Sequence, residues 1–259
     1  MSTTSEHVKI HHDLGVGWIT LDRPPLNIVT MEMCEAIGSA VEEMDADDVT
    51  KVIVITSAGE RAFAAGAEMK EHSLDAIEEL LETMGRLLRQ LQQHDGKPRI
   101  ALVKGVCSGG GNEVASFCDL VLARSDARFS QPEINIGAAG NMGCMMMSRV
   151  ISRRKSLELA LTGDWIDAEE ARRLGLVNQV FPVESFEEDV AAYLEKYTSK
   201  SMAALRLGRS QLYRTFDQPF SAAMDVLDET FIHEVFKMED YQEGVAAFLE
   251  KRKPEWKNR

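Results

Sequence analysis

Basic charge is scarce in this chain. Its 259 residues carry 29 Lys and Arg against 42 Asp and Glu, a formal charge of −13. That balance argues against nucleic acid or an anionic membrane surface as the main partner, since both need a positive face. Cysteine is scarce too. Cys34, Cys107, Cys118 and Cys144 are unevenly spaced with no CxxC pair, which excludes a zinc ribbon and a disulfide scaffold and leaves reduced, mostly buried thiols. The opening MSTTSEHVKI lacks the apolar core of a signal peptide, and no apolar run nears the ~20 residues that span a bilayer. The expected location is cytoplasmic, or a compartment reached by a signal not visible here. GxGxxG is absent, so no dinucleotide fingerprint is present. Gly105 to Gly109 is not GxSxG and has no histidine partner, which speaks against nucleophilic catalysis by Ser108 or Cys107. His11-His12-Asp13 reads as the polar surface of a hairpin rather than a metal site.

What is present alternates strand and helix. Val8–His11 and Val16–Leu21 read as strands around a turn at Asp13-Leu14-Gly15, and Arg23-Pro24-Pro25 ends the second. Thr30 is placed to cap a helix whose apolar face carries Met33, Ile37, Ala40, Val41 and Met44. Val52–Thr56 reads as a buried strand. Phe63 to Lys70 reads as a loop of small residues that lets backbone approach a ligand. Residues 71–96 are mostly helical, with Leu80, Leu81, Met84, Leu87, Leu88 and Leu91 inward. Ile100–Val103 and Cys118–Ala123 complete an α/β pattern with parallel strands expected. Beyond Gly137 come candidate helices at Met142–Ile151, Ser156–Leu161 and Ala168–Leu174, a strand at Val177–Phe181 and a helix over 183–198. Only helices follow, at 201–215, about 217–237 and 240–251. The expected division is a core over 1–198 with the active site, and a helical region over 199–259 that packs on the core or on a neighbour.

The stretch from Gly105 to Gly137 carries the chemistry. An apolar strand runs into Gly109-Gly110-Gly111, which open a helix with Glu113 in its first turn. After the next strand, Gln131-Pro132-Glu133 presents a second carboxylate. Backbone N–H groups at such a helix start stabilise negative charge, and two nearby carboxylates are general acid/base equipment. Taken alone, Glu113 is a helix-start charge and Glu133 a solvated loop acid; together they read as an active site.

FAAGAEMKEH (Phe63–His72), GVCSGGGNE (Gly105–Glu113), QPEINIG (Gln131–Gly137) and the tail EGVAAFLEKRKPEW (Glu243–Trp256) together resemble the crotonase, or enoyl-CoA hydratase/isomerase, superfamily. The resemblance runs over nearly the whole chain in order. It implies a spiral of repeated ββα units followed by a helical region that builds trimers, two of which stack into a hexamer. It implies an acyl-CoA thioester whose carbonyl is held by the N–H groups of Ala67 and Gly110, each worth about 3–4 kcal/mol to a developing oxyanion. Glu113 would orient and activate water, and Glu133 would protonate Cα. Leu26, Ala65, Ala67, Lys70, Phe248 and Lys251 would contact CoA, and Asn141, Met142 and Met145 would border the acyl group. No metal or redox cofactor is implied.

Ile136 to Met147 departs from the family's usual glycine-rich turn and brings Asn141 and a run of methionines, flexible side chains that suit an irregular apolar ligand or an ordinary helix core. Three reactions stay open: hydration of a linear enoyl-CoA, hydration of a cyclic dienoyl-CoA of aromatic-acid degradation, and isomerisation or hydrolysis. Retention of both glutamates favours hydration. An RNA-binding or scaffold relative would need a basic stripe that a charge of −13 does not supply.

Overall fold

The computed structural model describes residues 5–140 and 142–259. The strands β1 (Val8–Asp13) and β2 (Val16–Leu21) form a hairpin. Its two-residue turn puts Leu14 and Gly15 at φ 47° and 83°, the twist that matches paired strands. Helix α1 (Met31–Ala46) starts where Thr30 accepts from the Met33 N–H at 3.2 Å. Then follow β3 (Val52–Ser57), β4 (Ala62–Ala65), α2 (Ile77–Leu91), β5 (Arg99–Val103), β6 (Val106–Ser108), α3 (Gly110–Ser116), β7 (Leu120–Arg124) and β8 (Arg128–Ser130). After them come α4 (Met142–Val150), α5 (Arg153–Thr162), β9 (Ile166–Asp167), α6 (Ala168–Leu174), β10 (Gln179–Phe181), α7 (Phe186–Thr198), α8 (Met202–Thr215), α9 (Phe220–His233) and α10 (Glu239–Glu250).

Period-two alternation builds the larger sheet, ordered β1-β2-β3-β5-β7-β10. Ile53 and Ile55, with Ala101, Val103, Val121 and Ala123, face one core under α1 and α2. Val52 and Val54, with Ile100, Leu102 and Leu122, face a second core closed by Phe186, Val190 and Leu194 of α7. Both faces are covered, which is why these strands read as continuous apolar runs.

A smaller sheet, β4-β6-β8-β9, stands beside it, with β4, β6 and β8 parallel. Each turn of the chain gives one strand to each sheet and then a helix: β3-β4-α2, then β5-β6-α3, then β7-β8-α4. This is the ββα spiral. Between β5 and β6 the chain changes sheets at Gly105, whose φ is 60° and whose absent Cβ would lie 2.3 Å from the Arg61 carbonyl oxygen. The smaller sheet corrects the expectation of a loop at Phe63, which lies in strand β4. Three- and four-residue strands are too short to display period two. The segment expected as one helix over 71–96 is a 3-10 turn at Met69–His72 followed by α2, and Leu81 is 43% exposed rather than inward. The expected helix over 217–237 is α9 plus a 3-10 turn at Val235–Lys237. The four thiols are free, and Cys34, Cys107 and Cys118 are buried. No helix among the described residues is long and apolar enough to cross a membrane.

The helical region docks on the core through α8. Arg209, 6% exposed, donates from Nε to Asp119 Oδ2 at 2.7 Å, and the Tyr213 hydroxyl donates to Asp119 Oδ1 at 2.5 Å. The Arg99 backbone N–H donates to Asp119 Oδ2 at 2.7 Å. Removing one partner of a buried charge pair strands the other. Asp119→Ala should therefore lower the unfolding free energy by about 3 kcal/mol in urea denaturation; a loss under about 1 kcal/mol would show that the junction does not depend on Asp119.

Candidate active site

Three neighbouring strands of the smaller sheet each end in a candidate functional group. β4 leads into Gly66-Ala67, β6 into Gly109-Gly110 and α3, and β8 into Gln131-Pro132-Glu133. Ligands of parallel sheets collect at such carboxyl ends. The register Ala64↔Cys107 and Ala65↔Ser108 sets Ala67 beside Gly110. A Cβ on Gly110 would stand 3.3 Å from the Ala67 nitrogen. Gly66 O accepts from Val29 N–H and Glu68 N–H donates to Val29 O, at 2.9 and 2.8 Å, so alternation turns the Ala67 N–H to the opposite side. The Gly110 N–H opens α3 and has no intrahelical acceptor.

Glu113 is 8% exposed and lies one turn into α3. Its Oε1 accepts from the Gly143 N–H at 2.9 Å. Burial raises its carboxyl pKa, the Gly143 hydrogen bond opposes the rise, and the charge of Glu133 adds to it. Glu133 starts the 3-10 turn Glu133–Ile136, and burial raises its pKa as well, against the hydrogen bond from Gln131. Gln131 Nε2 donates to Glu133 Oε1 at 2.9 Å, while Glu133 Oε2 is buried without a partner among the described residues. Both carboxyls therefore hold a proton more readily than a solvated acid does.

Both open into a cavity of about 700 Å³, lined also by Ala65, Ala67, Gly110 and Met142. The structure thus brings together Glu113, Glu133, Ala65, Ala67, Gly110 and Met142. It keeps others out of that lining. Leu26 lends its carbonyl to the Ala65 N–H at 3.0 Å. Lys70 is exposed on the 3-10 turn Met69–His72, and Met145 is 45% exposed on α4. Phe248 lines a separate apolar cavity among α8, α9 and α10, and Lys251 ends α10 in a left-handed conformation. Asn141 lies outside the described residues. The sequence reading missed Gln131 and Gly143 as the partners of the glutamates, and His72, Ile77, Leu80, Leu81 and Met84 as walls. Gln131 was visible inside the QPE motif, and the wall from α2 was visible as the edge of its apolar stripe. The Gly143 N–H carries no sequence signal, because a backbone group looks the same in every residue.

The fold and this arrangement define an α/β enzyme of the crotonase type. A family profile described as enoyl-CoA hydratase/isomerase matches residues 11–259. The chain is 35% identical over 263 residues to a probable enoyl-CoA hydratase of Mycobacterium tuberculosis, covering 99% of this chain and 100% of that protein. A probable enoyl-CoA hydratase of Rhizobium meliloti is 35% identical over 248 residues, covering 94% and 95%. Among solved structures, an enoyl-CoA hydratase of Mycobacterium smegmatis superposes with a TM-score of 0.91 at 30% identity, covering 97% and 99%. The chain belongs to the enoyl-CoA hydratase/isomerase family.

Both glutamates bind a proton more tightly in the folded chain than in the unfolded one. Over the window from the ordinary carboxylate range up to their raised values, the folded state holds more protons, so stability falls as pH rises. Glu113→Gln keeps an acceptor for Gly143 and removes one of these costs. Its thermal midpoint should match wild type near about pH 4 and exceed it by a few degrees near about pH 8. A midpoint that tracks wild type across that range would show that Glu113 ionises at its usual pH.

Proposed function

We infer that this enzyme reversibly adds water, in syn fashion, across the double bond of an α,β-unsaturated acyl-CoA thioester. The observation that carries the reading is the convergence of Glu113 and Glu133, both with raised pKa, on one cavity that the Ala67 and Gly110 backbone also lines. The thioester carbonyl oxygen sits against the Ala67 and Gly110 N–H groups, which meet the negative charge that grows on it. Glu113 holds and activates the water. Its hydroxyl forms the new C–O bond at Cβ, Glu133 gives its proton to Cα, and the proton left by water returns to the carboxylate pair. The product is a 3-hydroxyacyl-CoA, and the reaction as written consumes no metal or redox group. The names of the M. tuberculosis and R. meliloti relatives support hydration over isomerisation.

The apolar wall of Ile77, Leu80, Leu81, Met84, Ile136 and Met142 favours a bulky hydrocarbon group and keeps a cyclic dienoyl ester in view as the second reading. Loss of conjugated-thioester absorbance with crotonyl-CoA and with a cyclic dienoyl-CoA separates the two. Rapid consumption of crotonyl-CoA, lost by about a thousandfold or more in Glu133→Gln, is the expected result. Reaction of the cyclic ester alone would move the reading to an alicyclic hydratase. Inertness toward both would overturn hydration.

Assembly into a hexamer of stacked trimers belongs to the same proposal. Leu212, Phe216, Phe220, Phe248 and Leu249 are 70–83% exposed on α8, α9 and α10, more apolar surface than a monomer leaves wet. Contacts of Lys70, Phe248 and Lys251 with CoA are proposed within that assembly, and a cytoplasmic location goes with it. Light scattering should return about six times the chain mass of 28.8 kDa; a monomer would overturn the assembly.

A further inference from the structure

Behind the glutamates runs a chain of buried amides that the hydration scheme does not use. Asn112 and Gln131 are each 1% exposed. Asn112 Nδ2 donates to Gln131 Oε1 at 2.8 Å, and Gln131 Nε2 donates to Glu133 Oε1 at 2.9 Å. On the far side, Ser116 Oγ donates to Asn112 Oδ1 at 3.5 Å. We propose that Asn112 is a positioning residue, which locks the Gln131 carboxamide with its NH2 toward Glu133 and so readies Glu133 to part with its proton.

A carboxamide has a donor end and an acceptor end, and which end faces Glu133 is decided by what faces the other. Turning Gln131 over would set its NH2 against that of Asn112 and leave both without acceptors in a dry core, a costly arrangement. The space around the amide is equally restrictive. A Cβ on Gly143 would lie 2.5 Å from Gln131 Cδ, Oε1 and Nε2, so the carboxamide is wedged against the backbone that also holds Glu113. A Cβ on Gly140 would lie 2.9 Å from Gln131 Cγ and 3.2 Å from Glu133 Oε2. Glu133 therefore always meets a donor at Oε1. That donor favours the ionised carboxylate left after Cα is protonated, where burial alone would keep the proton on the acid. With a carbonyl in its place, Glu133 would have to stay protonated to make the bond.

The proposal rests on the reading of Glu133 as the acid, but its test does not need turnover. Asn112→Leu is close in shape, adds no charge and frees the Gln131 carboxamide to reverse. In chains labelled with [δ-13C]glutamate, the Glu133 carboxyl, assigned by its absence in Glu133→Gln, should titrate about one pH unit or more higher in Asn112→Leu than in wild type. With crotonyl-CoA, kcat should fall about tenfold or more while KM stays within about twofold. A folded Asn112→Leu whose Glu133 titrates as in wild type would overturn the proposal, whatever its activity. A wild type inert to enoyl-CoA esters would sink the hydratase reading and leave the titration to decide this one. Should Asn112→Leu not fold, the side-chain NH2 resonances of Gln131 in wild type decide. They are expected to shift with the Glu133 midpoint, and resonances indifferent to it would overturn the proposal.

Discussion

The close approach of α3 to the end of β4 is the constraint on which the site depends. A Cβ on Gly111 would lie 2.3 Å from the Ala64 carbonyl oxygen, so only glycine lets the helix start settle against that strand. This contact, with the β4–β6 register, brings the Ala67 backbone to Gly110. It also aims α3 so that Glu113, one turn along, faces the cavity instead of the core. A side chain at Gly111 would push the helix off the strand, and the Ala67–Gly110 pair and the carboxylate would be displaced together. The three glycines therefore serve different ends. Gly109 takes the left-handed turn, with φ 52°, Gly110 keeps the cavity clear and Gly111 permits the packing.

The spiral explains the long spacings in sequence. From Ala67 to Gly110 the chain makes one full turn through α2, β5 and β6. From Glu113 to Glu133 it makes the next, through β7 and β8. Groups that share a cavity are thus one spiral turn apart in the chain and one strand apart in space, about 5 Å. The smaller sheet is packed into the main core, with Phe63, Ala64, Cys107, Phe129 and Ile166 buried there. Its function is to set neighbouring strand ends in register. The larger sheet adds a second core beneath α7, so the two sheets divide by strand length, longer strands packed on two faces and short ones that end at the site.

That division also decides what was legible beforehand. Strands of the larger sheet showed because each of Val52–Ile55, Ile100–Val103 and Leu120–Ala123 must satisfy a core on both faces, which demands apolar residues at every position. Thr30 showed as a cap because its side chain has a local partner three residues on. The smaller sheet did not show, because Ala62–Ala65 and Val106–Ser108 are short and carry small or polar residues where backbone meets the cavity. Leu81 was misplaced inward because a helical stripe says which side is apolar and not whether core or cavity lies against it. Glu113 and Glu133 were found through their motifs, whereas Gly143 was not, since its contribution is an N–H that any residue but proline supplies.

The burial that raises the pKa of both glutamates also works against the fold. A carboxyl kept from water resists ionisation, and the chain offsets that cost only partly, through the Gly143 and Met142 backbone for Glu113 and through its own backbone and Gln131 for Glu133. Complete satisfaction would fix both as ordinary carboxylates and leave neither able to carry the proton. Glu133 Oε2, buried without a partner among the described residues, is free to carry the proton that the raised pKa favours. The contrast with Asp119 makes the point. Its two oxygens share three donors, from Arg99, Arg209 and Tyr213, and it joins helix α8 to the core. The donors turned toward Asp119 reach both of its oxygens, whereas Glu133 leaves Oε2 without one among the described residues.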